Sequence, residues 1–130
     1  GVATADFDGD GKLDVVTSNI DSAPTLLKNV SLDKNNWLAI RLEGDVARKM
    51  PKDAIGAKIF VTTGKMRQRF DVTSGAGYAS QNEQVIHIGI GEATKIDSLE
   101  IVWPNGLSEK ISVDKINTRL TIKPSPEAPK

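Results

Sequence analysis

The amino-acid sequence predicts an all-β protein, an antiparallel β-sandwich or small barrel of about seven strands. Three observations support this fold class. Apolar and polar residues alternate in short segments, turn residues such as glycine, asparagine and proline separate these segments, and no stretch has the 3.6-residue period of a convincing helix. The 130 residues are enough for one core, since a chain of this length buries about two thirds of its unfolded surface.

The composition excludes several classes of function. Seventeen basic residues balance seventeen acidic ones, so the chain lacks the excess of Lys and Arg that attracts nucleic acid or anionic membranes. The chain contains no cysteine, which excludes disulfides, zinc–thiolate sites and thiol nucleophiles. No apolar run approaches the roughly 18 residues of a membrane span, and no signal-peptide pattern opens the chain. We expect a soluble mature protein or an excised piece, with no nucleic-acid partner and no membrane insertion.

A short acidic loop near the start of the chain carries the strongest chemical signal. Residues 6–14 read DFDGDGKLD, and their four carboxylates repel one another unless a cation lies among them. The spacing matches a calcium loop, in which oxygen ligands alternate and a glycine, here Gly11, makes the sharp turn. The expected Ca²⁺ ligands are the side chains of Asp6, Asp8, Asp10 and Asp14 and the backbone carbonyl of Lys12.

The residues around this loop predict strands rather than helices. Residues 2–5 before it and 13–17 after it are largely β-branched or small and lack a helical period. An EF-hand would place a bidentate Glu at its last ligand position, where this chain has Thr17. We predict a calcium loop between two strands, with an acidic turn that binds nothing as the alternative. A further short strand is expected at 25–29.

From Trp37 onward the sequence predicts the strands of the main domain. The first, at 37–43, places Leu38, Ile40 and Leu42 on one face, which is the alternation of a half-buried antiparallel strand. The remaining six strands are expected at 55–63, 66–73, 85–90, 97–103, 107–113 and 119–123.

The connections between these strands have distinct compositions. Segment 44–54 lacks a period and is expected to be a long exposed loop. Tight hairpins are expected at 64–65 and 104–106, where glycine tolerates a positive φ. The tail, 124–130, has three prolines in seven residues and is expected to be disordered.

The acidic loop and its flanks resemble a known repeat. ADFDGDGKLDVVTSN, residues 5–19, is similar to an FG-GAP or VCBS repeat, a calcium-loop unit that builds the blades of β-propellers. A propeller needs several blades, and this chain has one copy. The resemblance therefore implies that residues 1–30 form a partial β-propeller blade, a hairpin that belongs to a larger protein.

The main domain carries a second resemblance. Five blocks in order, NWLAIRLEG, IGAKIFVTTG, SGAGYASQNE, HIGIG and DSLEIVWPNG, are similar to the ASPIC/UnbV domain over residues 36–123. Such domains follow FG-GAP repeats in bacterial exported proteins and in the cartilage acidic proteins of animals. The resemblance implies an extracellular or periplasmic β-domain with a binding or adhesion role and no established catalysis.

These residues and resemblances leave two candidate functions. The first is a non-catalytic extracellular interaction or adhesion module whose calcium ion rigidifies the partial blade and whose β-domain contacts an unknown protein or polysaccharide. The second is a carbohydrate-binding accessory domain of a larger enzyme, in which an exposed Trp37, Trp103 or Tyr78 would stack on sugar rings. Exposure of these aromatic rings distinguishes the two.

Catalytic residues are not expected. His87 is the single histidine, and no G-x-S-x-G elbow accompanies it, so a structural histidine within a strand is the better interpretation. Paired carboxylates for glycoside hydrolysis remain an alternative that the sequence does not exclude. The carboxylates that could pair across strands are Glu83, Glu92, Glu100 and Glu109.

Overall fold

A computed structural model describes residues 1–126, which form ten β-strands and one 3₁₀ turn, at Val46–Arg48, with no α-helix in that range. The strands are β1 (Val2–Ala5), β2 (Asp14–Thr17), β3 (Thr25–Leu27), β4 (Asn36–Leu42), β5 (Lys58–Thr63), β6 (Met66–Asp71), β7 (Ile86–Gly91), β8 (Ser98–Val102), β9 (Ser108–Ile111) and β10 (Thr118–Ile122). The prediction of an all-β protein with seven strands in its main domain is confirmed. No helix among residues 1–126 is both long and apolar enough to cross a membrane.

The first three strands form a small antiparallel sheet, which we call the N-terminal sheet, in the order β1-β2-β3. Ala5 at the end of β1 lies opposite Asp14 at the start of β2, so the two strands flank the acidic loop as predicted. The register of β2 with β3 pairs Val15 with Leu27. This places Lys28, the residue after Leu27, beside the end of the acidic loop.

The main domain consists of two sheets, β10-β4-β7 and β6-β5-β8-β9, which form a sandwich rather than a closed barrel. The hairpins predicted at 64–65 and 104–106 join β5 to β6 and β8 to β9. However, β10 runs parallel to β4, with Thr118 opposite Leu38, and the purely antiparallel prediction is wrong for this pair. Side-chain alternation is the same in both orientations, so the sequence pattern does not distinguish them.

The core lies between the two sheets of the sandwich. As predicted, β4 buries Leu38, Ile40 and Leu42 on one face. Other strands contribute apolar residues to the core, namely Ile59, Val61, Ile88, Ile90, Leu99, Ile101 and Ile122, together with Trp103 after β8.

The connection at 44–54 is not the fully exposed loop that its composition predicts. Met50 and Ala54 are 2% and 0% exposed and belong to the core. Asp45 caps the 3₁₀ turn by accepting a hydrogen bond from the backbone N–H of Ala47, and Lys49 ends it in a left-handed conformation. These local bonds turn the chain back so that Met50 reaches the core, whereas the neighbouring lysines remain in solvent.

The start of the proline-rich tail is bonded to the sandwich. Ser125 donates backbone and hydroxyl hydrogen bonds to the carboxylate of Glu109 on β9, at 2.9–3.1 Å, and its carbonyl accepts one from Arg48. This part of the segment therefore has a defined position. The remainder of the tail for which disorder is predicted, residues 127–130, lies outside the described residues.

Candidate metal centre in the acidic loop

Three carboxylates of the acidic loop converge. Asp6, Asp8 and Asp14 each offer one oxygen, and these oxygens lie within 4.8 Å of one another. We call these residues the acidic cluster. Oxygens that bind one Ca²⁺ at 2.3–2.6 Å are at most about 5 Å apart, so the spacing of the cluster fits a single hard cation.

Asp14 is the buried member of the acidic cluster, with 3% of its surface exposed. Its Oδ2 accepts a hydrogen bond from the backbone N–H of Phe7 at 3.1 Å, and its Oδ1 accepts one from the N–H of Asn29 at 2.8 Å. These bonds satisfy a buried carboxylate and hold it in one orientation. They also connect the acidic loop to the turn after β3.

Asp6 shapes the loop by accepting backbone hydrogen bonds from it. Its Oδ1 accepts from Gly9 at 2.8 Å and from Asp10 at 3.1 Å, and its Oδ2 accepts from Gly11 at 2.9 Å. An Asp that accepts from the next few N–H groups is the usual way in which such a side chain closes a turn. The loop is therefore bent around Asp6 by its own backbone.

Asp8 is exposed and forms an ion pair with Lys28, which carries no sequence signal of this role. The hydrogen bond from Lys28 lowers the pKa of Asp8, and the same bond, followed by the charge of Asp8, raises the pKa of Lys28. Weaker contributions to the pKa of Lys28 come from Asp10 and Asp14. The ammonium group of Lys28 therefore interacts electrostatically with three carboxylates of the acidic loop.

The two remaining residues of the predicted set, Asp10 and Lys12, bond to each other, and Lys12 also bonds to Ser31. Asp10 is not a member of the acidic cluster; its Oδ1 accepts the backbone N–H of Lys12 at 2.9 Å, and its Oδ2 lies 3.8 Å from the Lys12 ammonium group. Lys12 donates from Nζ to the carbonyl oxygen of Ser31 at 2.7 Å. Of the four predicted carboxylates, the fold brings three together.

The acidic loop also contacts the sandwich. Gly11 has φ +87°, and a Cβ at this position would overlap the indole ring of Trp37 at the start of β4. On the other side, Thr4 donates to Asn82 Oδ1 at 3.0 Å and accepts from the backbone N–H of Glu83 at 3.0 Å. Asn82 and Glu83 carry no local signal of this role, since about eighty residues separate them from β1.

Comparison with known proteins identifies the family. Residues 47–129 match the family described as ASPIC and UnbV, which is more than half of the chain. The chain belongs to the ASPIC and UnbV family. The matched segment begins after β4, although β4 is central to the sandwich sheet β10-β4-β7.

Curated relatives of this ASPIC and UnbV chain are cartilage acidic proteins. It is 34% identical over 129 residues to "Cartilage acidic protein 1" of Xenopus tropicalis, an alignment that covers 94% of this chain and 19% of that protein. The proteins of the same name from Mus musculus and Homo sapiens are each 33% identical, with 94% of this chain covered and 19% and 18% of their own lengths. The chain thus spans about a fifth of the length of these relatives.

The aromatic rings of the ASPIC and UnbV chain differ widely in exposure. Trp103 is 2% exposed and part of the core, which removes it as a platform for sugars. Trp37 is half-buried and lines a groove between the acidic loop and the sandwich. Tyr78 is 94% exposed in the loop before β7. Of the three aromatic candidates, Tyr78 alone presents a free ring.

His87 lies within β7, as predicted, and both of its buried ring nitrogens lack a hydrogen-bond partner among the described residues. His87 Nε2 lies 3.6 Å from Glu83 Oε2, and Glu83 Oε1 forms an ion pair with Arg119 at 2.7 Å. Glu109 lies opposite Ile101 and faces the core side, whereas the neighbouring Glu100 faces away. The fold therefore keeps the last two carboxylates on opposite faces of their sheet.

Proposed function

We propose that this chain is a non-catalytic calcium-binding interaction module, the extracellular part of a larger protein to which it contributes the end of a propeller-type unit and an ASPIC and UnbV domain. The observation that carries the proposal is the acidic cluster, whose three carboxylate oxygens lie within 4.8 Å. Calcium is favoured over magnesium because the ligands are all hard oxygens on a flexible loop, whereas Mg²⁺ demands a stricter octahedron and retains its waters.

A bound ion would act where the N-terminal sheet meets the sandwich. Asp6 follows β1, Asp14 begins β2, and Asp8 lies between them, so one ion would connect both strand ends with the loop. The same loop packs on Trp37 through Gly11. Calcium would therefore stabilise the N-terminal sheet and its contact with the sandwich.

The N-terminal sheet has the surface of an incomplete unit. Every buried hydrophobic residue among residues 1–126 lies at Leu38 or later, and the N-terminal part instead exposes large apolar side chains. Those at least 54% exposed in this part are Val2, Phe7, Ile20, Leu26, Leu27, Val30 and Leu32. An apolar surface of this kind is typical of an interface. The length of the cartilage acidic proteins supports further domains of the parent protein as its neighbour.

A calcium titration of the chelator-treated chain tests the metal site. We expect one site with a Kd of about 10⁻⁴–10⁻³ M, the range of extracellular modules. The substitution Asp8→Asn should weaken calcium binding, because it removes one negative charge from the acidic cluster and replaces a carboxylate by an amide oxygen, a weaker ligand. Asp21→Asn is the matched control, since Asp21 is exposed, lies outside the loop and tolerates Asn at its φ of 58°.

Equal binding by the two variants would contradict the assignment of the ligands. The absence of any calcium heat and any thermal shift at millimolar calcium would contradict calcium binding by this chain.

Carbohydrate binding remains a second candidate because Tyr78 presents an exposed ring. Rigid aromatic rings stack on sugar faces, and Tyr adds a hydroxyl that hydrogen bonds. A glycan array probed with the wild-type chain and with Tyr78→Ala tests it. Signals that disappear in the variant support this function, whereas an array without signals excludes it in favour of a protein partner.

A further inference from the structure

We propose that Lys28 is a built-in competitor for the metal site: its ammonium group neutralises the acidic cluster in the metal-free protein and leaves Asp8 when a divalent cation binds. The proposal concerns the regulation of the site described above and rests on the proposed calcium function. Its basis is the ion pair between Lys28 and Asp8, together with the position that the sheet gives Lys28.

The backbone holds Lys28 at the rim of the loop. Leu27 pairs with Val15 in the β2–β3 ladder, so Lys28 comes next to Asp14 in the continuation of that ladder. Asn29, the following residue, donates its N–H to Asp14 Oδ1 at 2.8 Å. A member of the acidic cluster thus anchors the turn that delivers the ammonium group to another member.

Other charged groups near the loop are engaged elsewhere. Lys12 donates to the carbonyl of Ser31 at 2.7 Å, and its nearest carboxylate is Asp10, outside the acidic cluster. Glu83 accepts a hydrogen bond from the backbone N–H of Asp6 at 3.4 Å, and its carboxylate forms an ion pair with Arg119. Within residues 1–126, Lys28 is therefore the basic side chain that pairs with a carboxylate of the cluster.

The competition has two measurable consequences. A cation that binds through Asp8 must break the Lys28 ion pair and then share the loop with a positive charge. Removal of Lys28 should therefore tighten calcium binding by about twofold to fivefold, the range expected for an exposed ion pair. The same removal leaves three close carboxylates without their counter-ion, so the metal-free protein should melt at a lower temperature.

The experiment compares Lys28→Met with the wild-type chain and with Lys115→Met. Methionine retains the length and the apolar stem of lysine, and Lys115 is an exposed lysine of the sandwich, so both variants change the net charge equally. Calcium affinity is measured by calorimetry, and the melting temperature is measured in chelator. We expect tighter binding and a lower melting temperature for Lys28→Met, and wild-type values for Lys115→Met. Lys28→Arg, which keeps the positive charge, should bind calcium with the affinity of the wild type.

The failures of the two proposals are distinguishable. If the wild type and Lys28→Met bind calcium equally well, or if Lys115→Met tightens binding as much, the competitor role of Lys28 is wrong and the metal site stands. If none of the proteins binds calcium, the metal site itself is wrong and the competitor role falls with it.

Discussion

At the scale of single residues, Gly11 connects the acidic loop to the sandwich. Its positive φ of 87° suits glycine, and the space where a side chain would lie is occupied by the indole ring of Trp37. The same residue donates its N–H to Asp6 Oδ2 at 2.9 Å. One glycine therefore serves both the shape of the loop and its packing on β4.

The substitution Gly11→Ala should destabilise the chain more than Gly9→Ala. Both positions have a positive φ, so both variants carry the same kind of backbone strain, but a Cβ at Gly9 meets no atom within 4 Å. The overlap with Trp37 should cost a further 1–3 kcal/mol or so in free energy of unfolding, the usual cost of overpacking. Urea unfolding monitored by tryptophan fluorescence measures the difference, and equal midpoints would show that the loop does not pack on Trp37.

At the scale of elements, an aspartate braces the hairpin between β5 and β6. Asp97, just before β8, accepts the N–H of Gly64 at 2.6 Å, and its own N–H donates to the carbonyl of Thr62 at 2.9 Å. The hydrogen bond from Gly64 lowers the pKa of Asp97, with a further contribution from Lys95. The turn at 64–65 is thus tied to the neighbouring strand.

These hydrogen bonds of Asp97 should make the stability of the fold depend on pH in the acidic range. Because the pKa of Asp97 in the folded chain lies below its ordinary value of 3.8, the ionised brace stabilises the fold above that pH, and its contribution is lost as the pH falls through the folded value. Asp97→Asn should therefore lower the melting temperature at neutral pH, by an amount that shrinks below pH 3.8. Melting curves at several pH values test this, with Asp21→Asn as the control. A constant difference at all pH values would contradict it.

At the scale of the whole molecule, the two parts of the chain have unequal cores. The sandwich contains all the buried hydrophobic residues among residues 1–126. In the N-terminal sheet, the one buried residue is Asp14. Its attachment includes the Gly11 contact with Trp37 and the hydrogen bonds of Thr4 and Asp6 with residues 82 and 83. Such a unit opens at a lower free energy than the sandwich does.

Hydrogen exchange should reveal this difference directly. We expect the backbone amides of β1–β3 to exchange faster than those of β4, β5 and β8, because few apolar contacts oppose local opening of the N-terminal sheet. Addition of calcium should slow exchange in β1 and β2 and leave the sandwich unchanged. Mass spectrometry of peptides after exchange measures both effects, and uniform protection across the chain would contradict the first.

Much of the fold could be predicted because the signals are local. The apolar alternation of β4 and the glycine turn at 64–65 depend on neighbours within a few residues, and both predictions are confirmed. The burial of Met50 and the parallel pairing of β10 depend on contacts between distant segments, and the predictions missed them. The family assignment from five sequence blocks is also confirmed, and the resemblance of residues 1–30 to an FG-GAP or VCBS repeat stays a prediction.

The sequence by itself determined the strands, the turns between them and the alternating carboxylates of the acidic loop, because the pleat of a strand and the sterics of a turn act over a few residues. Only the tertiary structure decided that Asp6, Asp8 and Asp14 converge without Asp10, and that Lys28 pairs with Asp8. It also decided that Trp103 is buried while Tyr78 is exposed. The exclusion of Asp10 follows from hydrogen bonds within the loop itself. The pairing of Lys28 and the burial of Trp103 depend on which distant segments share a sheet or a face, and the spacing of residues along the chain carries no record of that.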